Sequence, residues 1–300
     1  MIRVAAVDLG TNTTRLLVAD VEGERVNEVS LRVTITRLGE GVDARRKLLP
    51  LPIARVRNVL ADYRRELEAL GAERLLAVAT SAIRDAENGE AFLGEVAWSY
   101  GFTTRLLSGE EEAMLTLRGV GEVDDETLVL DIGGGSTEFI TRSRAISVDI
   151  GSVRLTEQFG EDVDAIAAYV RPLLPTGLHP TRAIGVAGTI TSLAALDLGL
   201  QEYDRERVHG HRLSVTAVDQ QLERLAALPL EERRQVPALD PERAPVIVAG
   251  AVIVREALAH FGLDELEASE RDLLHGVALA AAQLPEPVEG DAPPGAYTCC

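Results

Sequence analysis

Two stretches of this chain follow one pattern. Residues 4–18 read VAAVDLGTNTTRLLV and residues 128–140 read LVLDIGGGSTEFI. In each, an apolar run ends in an aspartate, and a short turn rich in glycine or small polar residues leads into a second apolar run. Asp8-Leu9-Gly10-Thr11-Asn12-Thr13 lines up with Asp131-Ile132-Gly133-Gly134-Gly135-Ser136. Short apolar runs bounded by such turns read as buried strands, so each copy is a β-hairpin. Glycine lets the backbone come close, and the N–H groups of the turn form a cradle suited to phosphate oxygens. Asp131 and Glu138 flank the second turn and are hard oxygen donors of the kind Mg2+ accepts. Generic hairpins with glycine turns rarely share an aspartate at one offset, so the repeat points to two related domains that hold a phosphorylated ligand between them.

Composition narrows the function classes. With 300 residues, 46% of them apolar, the chain is long enough for two domains with real cores. A net charge of −18 argues against nucleic acid or an anionic membrane as partner. Residues 31–84 run against that charge, with 11 Arg/Lys and 6 Asp/Glu, an excess of +5. That excess reads either as the polar faces of helices or as a basic wall for a polyanion. Lys47 is the one lysine, so no P-loop exists and a Schiff-base mechanism has no ready candidate. Cys299 and Cys300 are the only cysteines; they build no disulfide framework or zinc site, which fits a reducing, cytoplasmic location. The chain enters its first strand without a secretory leader, and no apolar stretch is long enough to span a bilayer.

Between the two hairpins, a strand at 74–79 runs into Thr80-Ser81-Ala82-Ile83-Arg84, where small hydroxyls and an arginine form a plausible phosphate clamp. Ser108-Gly109-Glu110-Glu111-Glu112 opens a helix. Acids in a first turn complement the helix dipole, but a glutamate between two phosphate-type hairpins is also placed to orient and deprotonate a water. Gly188-Thr189 ends a strand and opens a helix, a third candidate phosphate turn. His209 and His211 flank Gly210 with no further ligand in sequence reach, which favours a polar loop over a metal site. The expected domains are 1–122 and 123–284, with 285–300 a disordered tail rich in Pro, Gly and Glu.

The ordered set VDLGTNT, TSAIRDA, SGEEEA, LDIGGGSTE, DIGSVRLTE and GVAGTITSLAAL resembles the exopolyphosphatase/guanosine pentaphosphate phosphatase (Ppx/GppA) family, in its short two-domain form. The resemblance runs from Val4 to about residue 280. It implies an α/β, actin-like (ribonuclease H-like) fold of two domains, each with a mixed five-stranded sheet and flanking helices. It implies Mg2+-dependent removal of the terminal phosphate of polyphosphate, and a homodimer. In its terms Glu112 is the catalytic base and Glu111 its acidic neighbour. Asp131, Glu138 and Asp8 are the metal-associated acids. Arg84, with Gly10, Thr11, Asn12 and Thr13 and with Gly133, Gly134, Gly135 and Ser136, binds phosphate. Arg271 and His275 depart from the family's pattern near the C-terminus. Three alternatives stay open: a guanosine pentaphosphate 5′-phosphatase, an ATP-using kinase of the same superfold, and a catalytically silent polyphosphate- or alarmone-binding protein.

Overall fold

A computed structural model describes residues 1–285. The expected tail at 285–300, including Cys299 and Cys300, lies outside the described residues but for Pro285. The chain divides into two compact units, one of residues 1–119 with 273 onward, the other of residues 120–272.

The first unit opens with β1 (Ile2–Leu9), β2 (Thr13–Glu22) and β3 (Arg25–Ile35), then α1 (Val42–Arg45) and α2 (Pro50–Ala69). It continues with β4 (Arg74–Ala79), α3 (Ser81–Asp85), α4 (Gly89–Tyr100), β5 (Thr103–Leu106) and α5 (Gly109–Val120). Its sheet has the order β3-β2-β1-β4-β5, antiparallel from β3 to β1 and parallel from β1 to β5.

The second unit follows the same plan. It contains β6 (Thr127–Ile132), β7 (Thr137–Ile140), β8 (Ala145–Val148), α6 (Ser152–Phe159), α7 (Val163–Val170), β9 (Arg182–Val186) and α8 (Ala187–Asp197). After these come α9 (Arg205–Val208), β10 (Arg212–Ser214), α10 (Val215–Ala227), α11 (Leu230–Arg233), α12 (Ile247–Phe261) and β11 (Glu265–Ala268). The sheet order is β10-β11-β9-β6-β7-β8. Reading β8-β7-β6-β9-β11 reproduces the pairing and strand directions of the first sheet. The repeat seen in two hairpins is thus a repeat of whole sheets, the doubling that the actin-like fold requires. The second sheet exceeds the expected five strands by β10, antiparallel to β11. Three residues between a glycine loop and a helix carry too little alternation to read as a strand.

The last helix, α13 (Leu273–Ala281), departs from the expected domain limits, because it belongs to the first unit. The reason is coverage of the sheet. Successive residues of a strand face opposite ways, and both faces of β1 are buried. Ala5, Val7 and Leu9 face α2, α3 and α4, packing with Val56, Leu60, Tyr63, Ile83 and Phe92. Val4 and Ala6, with Leu17, Ala19 and Val78, form the other face, and α13 covers it with Leu273, Leu274, Val277, Ala278 and Ala281. His275, unusual in the sequence, is buried there with Nε2 2.9 Å from Glu28 Oε1 of β3. Among the described residues no helix is long and apolar enough to cross a membrane.

The contact between α13 and α5 depends on Gly276. A Cβ at this position would fall 1.9 Å from the carbonyl oxygen of Leu115. Backbone cannot yield as a side-chain tip does, so Gly276→Ala must push the helix off its seat. Urea titration is expected to show a loss of about 1–3 kcal/mol, the usual range for overpacking. An unchanged midpoint would mean that α13 does not press on α5.

Candidate active site

The two hairpin turns close in the same way. Gly10 N–H donates to the Thr13 carbonyl at 2.9 Å, and Gly133 N–H donates to the Ser136 carbonyl at 3.0 Å. A Cβ on Gly10 would stand 2.9 Å from Thr13 O, and one on Gly133 would stand 3.1 Å from Ser136 O. Glycine is needed here for close approach, not for a left-handed backbone.

In the first unit a strap lies behind the turn. Gly39 N–H donates to Thr11 O at 2.8 Å, and the amides of Thr36 and Arg37 donate to Asn12 O at 3.0 and 2.9 Å. With its carbonyls held by the strap, the turn leaves Asn12 almost fully buried, and Asn12 Nδ2 makes no hydrogen bond among the described residues. A buried donor without an acceptor costs about 1–3 kcal/mol, and an anionic oxygen is a suitable acceptor.

In the second unit α6 plays the part of the strap. The amides of Ser152, Val153 and Arg154 donate to Gly133 O and Gly134 O at 2.9–3.1 Å, and Arg154 Nε donates to Gly135 O at 2.8 Å. Gly151 makes this approach possible, since a Cβ there would fall 2.3 Å from Gly134 O. In a trans peptide the C=O and the following N–H point opposite ways. The N–H groups of Gly134, Gly135 and Ser136 therefore turn away from α6, as an anion cradle requires. In the sequence, Gly151-Ser152-Val153-Arg154 stands within the motif DIGSVRLTE with no task assigned to it. Its signal was a second glycine followed by a basic residue at the head of that helix.

Charge separates the hairpins. Asp8 pairs in register with Arg15, whereas Asp131 pairs with Glu138. Cross-strand partners share a face of the sheet. Arg15 binds Asp8 Oδ2 through Nε at 2.9 Å and through its Nη2 at 2.8 Å, so the first hairpin carries an ion pair. The second carries two buried carboxylates, one of them, Glu138, accepting the Ser147 hydroxyl at 2.7 Å. Among the described residues no group of three or more His, Cys, Asp or Glu is placed to hold a metal. Mg2+ does not need one, because it takes one or two carboxylates and completes its shell with water and phosphate oxygens. The Asp131–Glu138 pair fits that demand. Asp8, expected as a third metal-associated acid, lies against Arg15 through Oδ2.

Arg84 and Glu112 come together in the first unit. Arg84, at the end of α3, donates from Nη1 to the Leu107 carbonyl at 2.8 Å, and the same nitrogen lies 3.4 Å from Glu112 Oε2. Glu112, in the first turn of α5, is almost fully buried. Glu111, expected beside it in catalysis, closes the start of the same helix. Ser108 Oγ accepts the Glu111 N–H at 3.2 Å, and Glu111 Oε2 accepts the Ser108 N–H at 2.9 Å, which is a capping box. Glu111 Oε1 accepts Arg105 at 2.7 Å. The Ser108 amide, helped by the Arg105 guanidinium, holds the Glu111 carboxyl below the usual carboxylate range.

The third expected turn is altered in detail. Ala187 takes a left-handed conformation (φ 67°) before Gly188, and a Cβ on Gly188 would fall 2.2 Å from the Arg243 guanidinium. The Thr189 side chain is buried against Gly250 of α12, so the polar group presented at this turn is Arg243, which the sequence reading passed over. His211 Nε2 lies 2.7 Å from Asp197 Oδ2, and His209 Nδ1 accepts the Glu270 N–H at 3.3 Å, so the histidine pair is engaged as the loop reading expected.

Comparison with known proteins agrees with this fold. The chain is 37% identical to Exopolyphosphatase 2 of Mycobacterium tuberculosis, over 93% of this chain and 98% of that protein. The crystal structure of a Ppx/GppA enzyme of Aquifex aeolicus superposes with a TM-score of 0.78 at 32% identity, covering 93% of this chain and 99% of that one. An exopolyphosphatase from Cytophaga hutchinsonii, at 24% identity, shares the fold with a TM-score of 0.83 over 91% and 96% of the two chains. The sequence profile of the Ppx/GppA phosphatase family matches residues 17–284. With both hairpins, the Arg84–Glu112 contact and the doubled sheet in place, the chain belongs to the Ppx/GppA phosphatase family.

Proposed function

We propose that this protein is an exopolyphosphatase, which removes the terminal phosphate of inorganic polyphosphate by in-line attack of water. The observation that carries the reading is the Arg84–Glu112 contact at 3.4 Å. A guanidinium suited to two phosphate oxygens stands beside a buried carboxylate, so a phosphoryl group held by Arg84 lies next to a base. In the first unit Asn12 Nδ2 is a further donor for a phosphate oxygen, and the second unit offers its own donors in the outward amides of Gly134, Gly135 and Ser136.

Phosphoryl transfer needs positioning and charge stabilisation more than covalent chemistry. The water oxygen forms a bond to the terminal phosphorus as the bridging P–O bond breaks. Glu112 holds the water and takes its proton, and the shortened chain leaves with the bridging oxygen. Asp131 and Glu138 are the residues that would hold Mg2+, which when bound supplies positive charge against the phosphate oxygens. Glu111 keeps the first turn of α5, and thus Glu112, in place. The reading includes a cytoplasmic location and a homodimer, the first supported by the lack of cysteines before Cys299.

Glu112→Gln is expected to lower kcat by about 10²–10⁴, the usual value of a general base, with the unfolding midpoint unchanged. The assay is phosphate release from tripolyphosphate and long-chain polyphosphate, with guanosine pentaphosphate alongside. Near-normal release in the variant removes Glu112 from the role, and release from guanosine pentaphosphate alone moves the substrate to an alarmone.

The hairpins also predict a split among their acids. Asp131→Asn and Glu138→Gln should raise the Mg2+ concentration needed for half-maximal release by roughly tenfold or more. Asp8→Asn should act mainly on stability, by stranding Arg15. Equal Mg2+ shifts in all the variants would undo the distinction.

A further inference from the structure

Most of the basic excess in residues 31–84 is engaged within the first unit, Arg74 on the Ala282 carbonyl among it. Arg32, Arg55, Arg57, Arg64 and Arg65 each pair with a carboxylate. Arg84 is engaged at Leu107 and Glu112. Arg45 and Arg46 make no ion pair among the described residues, and both are exposed. The adjacent Lys47 reaches Glu87 only at 3.5 Å, with both side chains more than half exposed. Three consecutive cations therefore face solvent on a protein of net charge −18.

Their place in the first unit is specific. They lie on the strap that backs the Gly10 turn, whose Gly39 presses so closely on Thr11 that a Cβ would fall 2.3 Å from Thr11 Cγ2. The far end of the strap is tied beside α3, because Glu87 N–H donates to Arg46 O at 2.8 Å and Leu48 N–H donates to Asn88 Oδ1 at 2.8 Å. The strap thus joins the turn that carries Asn12 to the segment that carries Arg84. Two of its residues, Arg37 (φ 51°) and Arg46 (φ 54°), are left-handed without being glycine. Such conformations persist where surrounding bonds over-determine them, and they cluster at ligand clamps. The cations are held on an ordered backbone, where ordinary solvated side chains would need no such anchoring.

We infer that Arg45, Arg46 and Lys47 form a distal anion subsite that grips phosphates upstream of the one being removed, so that the enzyme favours long polyphosphate over short. The inference rests on the exopolyphosphatase reading for its substrate. Because the cations are exposed, their attraction falls with salt.

The test compares wild type with the triple variant Arg45→Gln/Arg46→Gln/Lys47→Gln on long-chain polyphosphate and on tripolyphosphate. The variant is expected to raise KM for the long chain roughly tenfold or more and to flatten its salt dependence, while KM for tripolyphosphate moves less than about twofold. Arg45→Lys/Arg46→Lys, which keeps the charge, should retain the long-chain KM. Equal changes on both substrates, or none on either, overturn the subsite. If wild type releases no phosphate from either substrate, the exopolyphosphatase reading fails. Direct binding of fluorescently labelled long-chain polyphosphate then decides the subsite: weaker binding by the triple glutamine variant upholds it, and unchanged binding overturns it.

Discussion

Each half of this protein hangs on one hydrogen bond inside a turn. The N–H of Gly10 meets the carbonyl of Thr13, and the N–H of Gly133 meets the carbonyl of Ser136. Both closures require that no Cβ intervene, and both follow a strand that ends in aspartate. Once the turn is closed, its remaining carbonyls are taken from behind, by the strap in one unit and by α6 in the other. That leaves donors on the other side. The local geometry is the same in both units, but the support differs in kind: one is irregular chain, the other a helix N-terminus.

The doubled architecture is a frame on which the two halves have diverged by charge. The residue seven positions after the aspartate shared by the two copies is arginine in one and glutamate in the other. That single difference sets two carboxylates side by side in the second hairpin where the first has a carboxylate beside a guanidinium. The repeat therefore assigns the copies different work while it preserves one backbone. The acidic surface as a whole repels a polyanion, so the few cations left uncompensated by carboxylates carry more weight than their number implies.

Much of this is legible in the sequence, for identifiable reasons. Strands β1, β2, β6 and β7 announce themselves as apolar runs bounded by turn residues, and α13 by its unbroken apolar face. Glu112 and Arg84 follow from motifs in order along the chain. What the sequence conceals is mostly pairing. The role of Glu111 is written in S-x-x-E, but three acids in a row mask which of them reaches back to cap the helix. Asp8 resembles Asp131 until the strand register sets Arg15 opposite it. Arg243 lies more than fifty residues from Gly188 in sequence, and nothing local announces their contact. The basic excess is a true count with a misleading spread, since neighbouring glutamates cancel most of it. The ownership of α13 is a matter of which sheet face lacks cover, and a one-dimensional reading does not see faces.

The return of α13 to the first unit has a consequence for biosynthesis. The second unit is a continuous insertion, complete before α13 emerges from the ribosome, whereas the first sheet waits for it. At about 5–20 residues per second, the roughly 160 residues between Gly119 and the end of α13 take about 10–30 s to appear. Throughout that interval Val4, Ala6, Leu17 and Val78 present a bare apolar face. The nascent chain thus carries an unfinished half while its later half is already folding, a window in which holdase chaperones would find their target on the amino-terminal sheet.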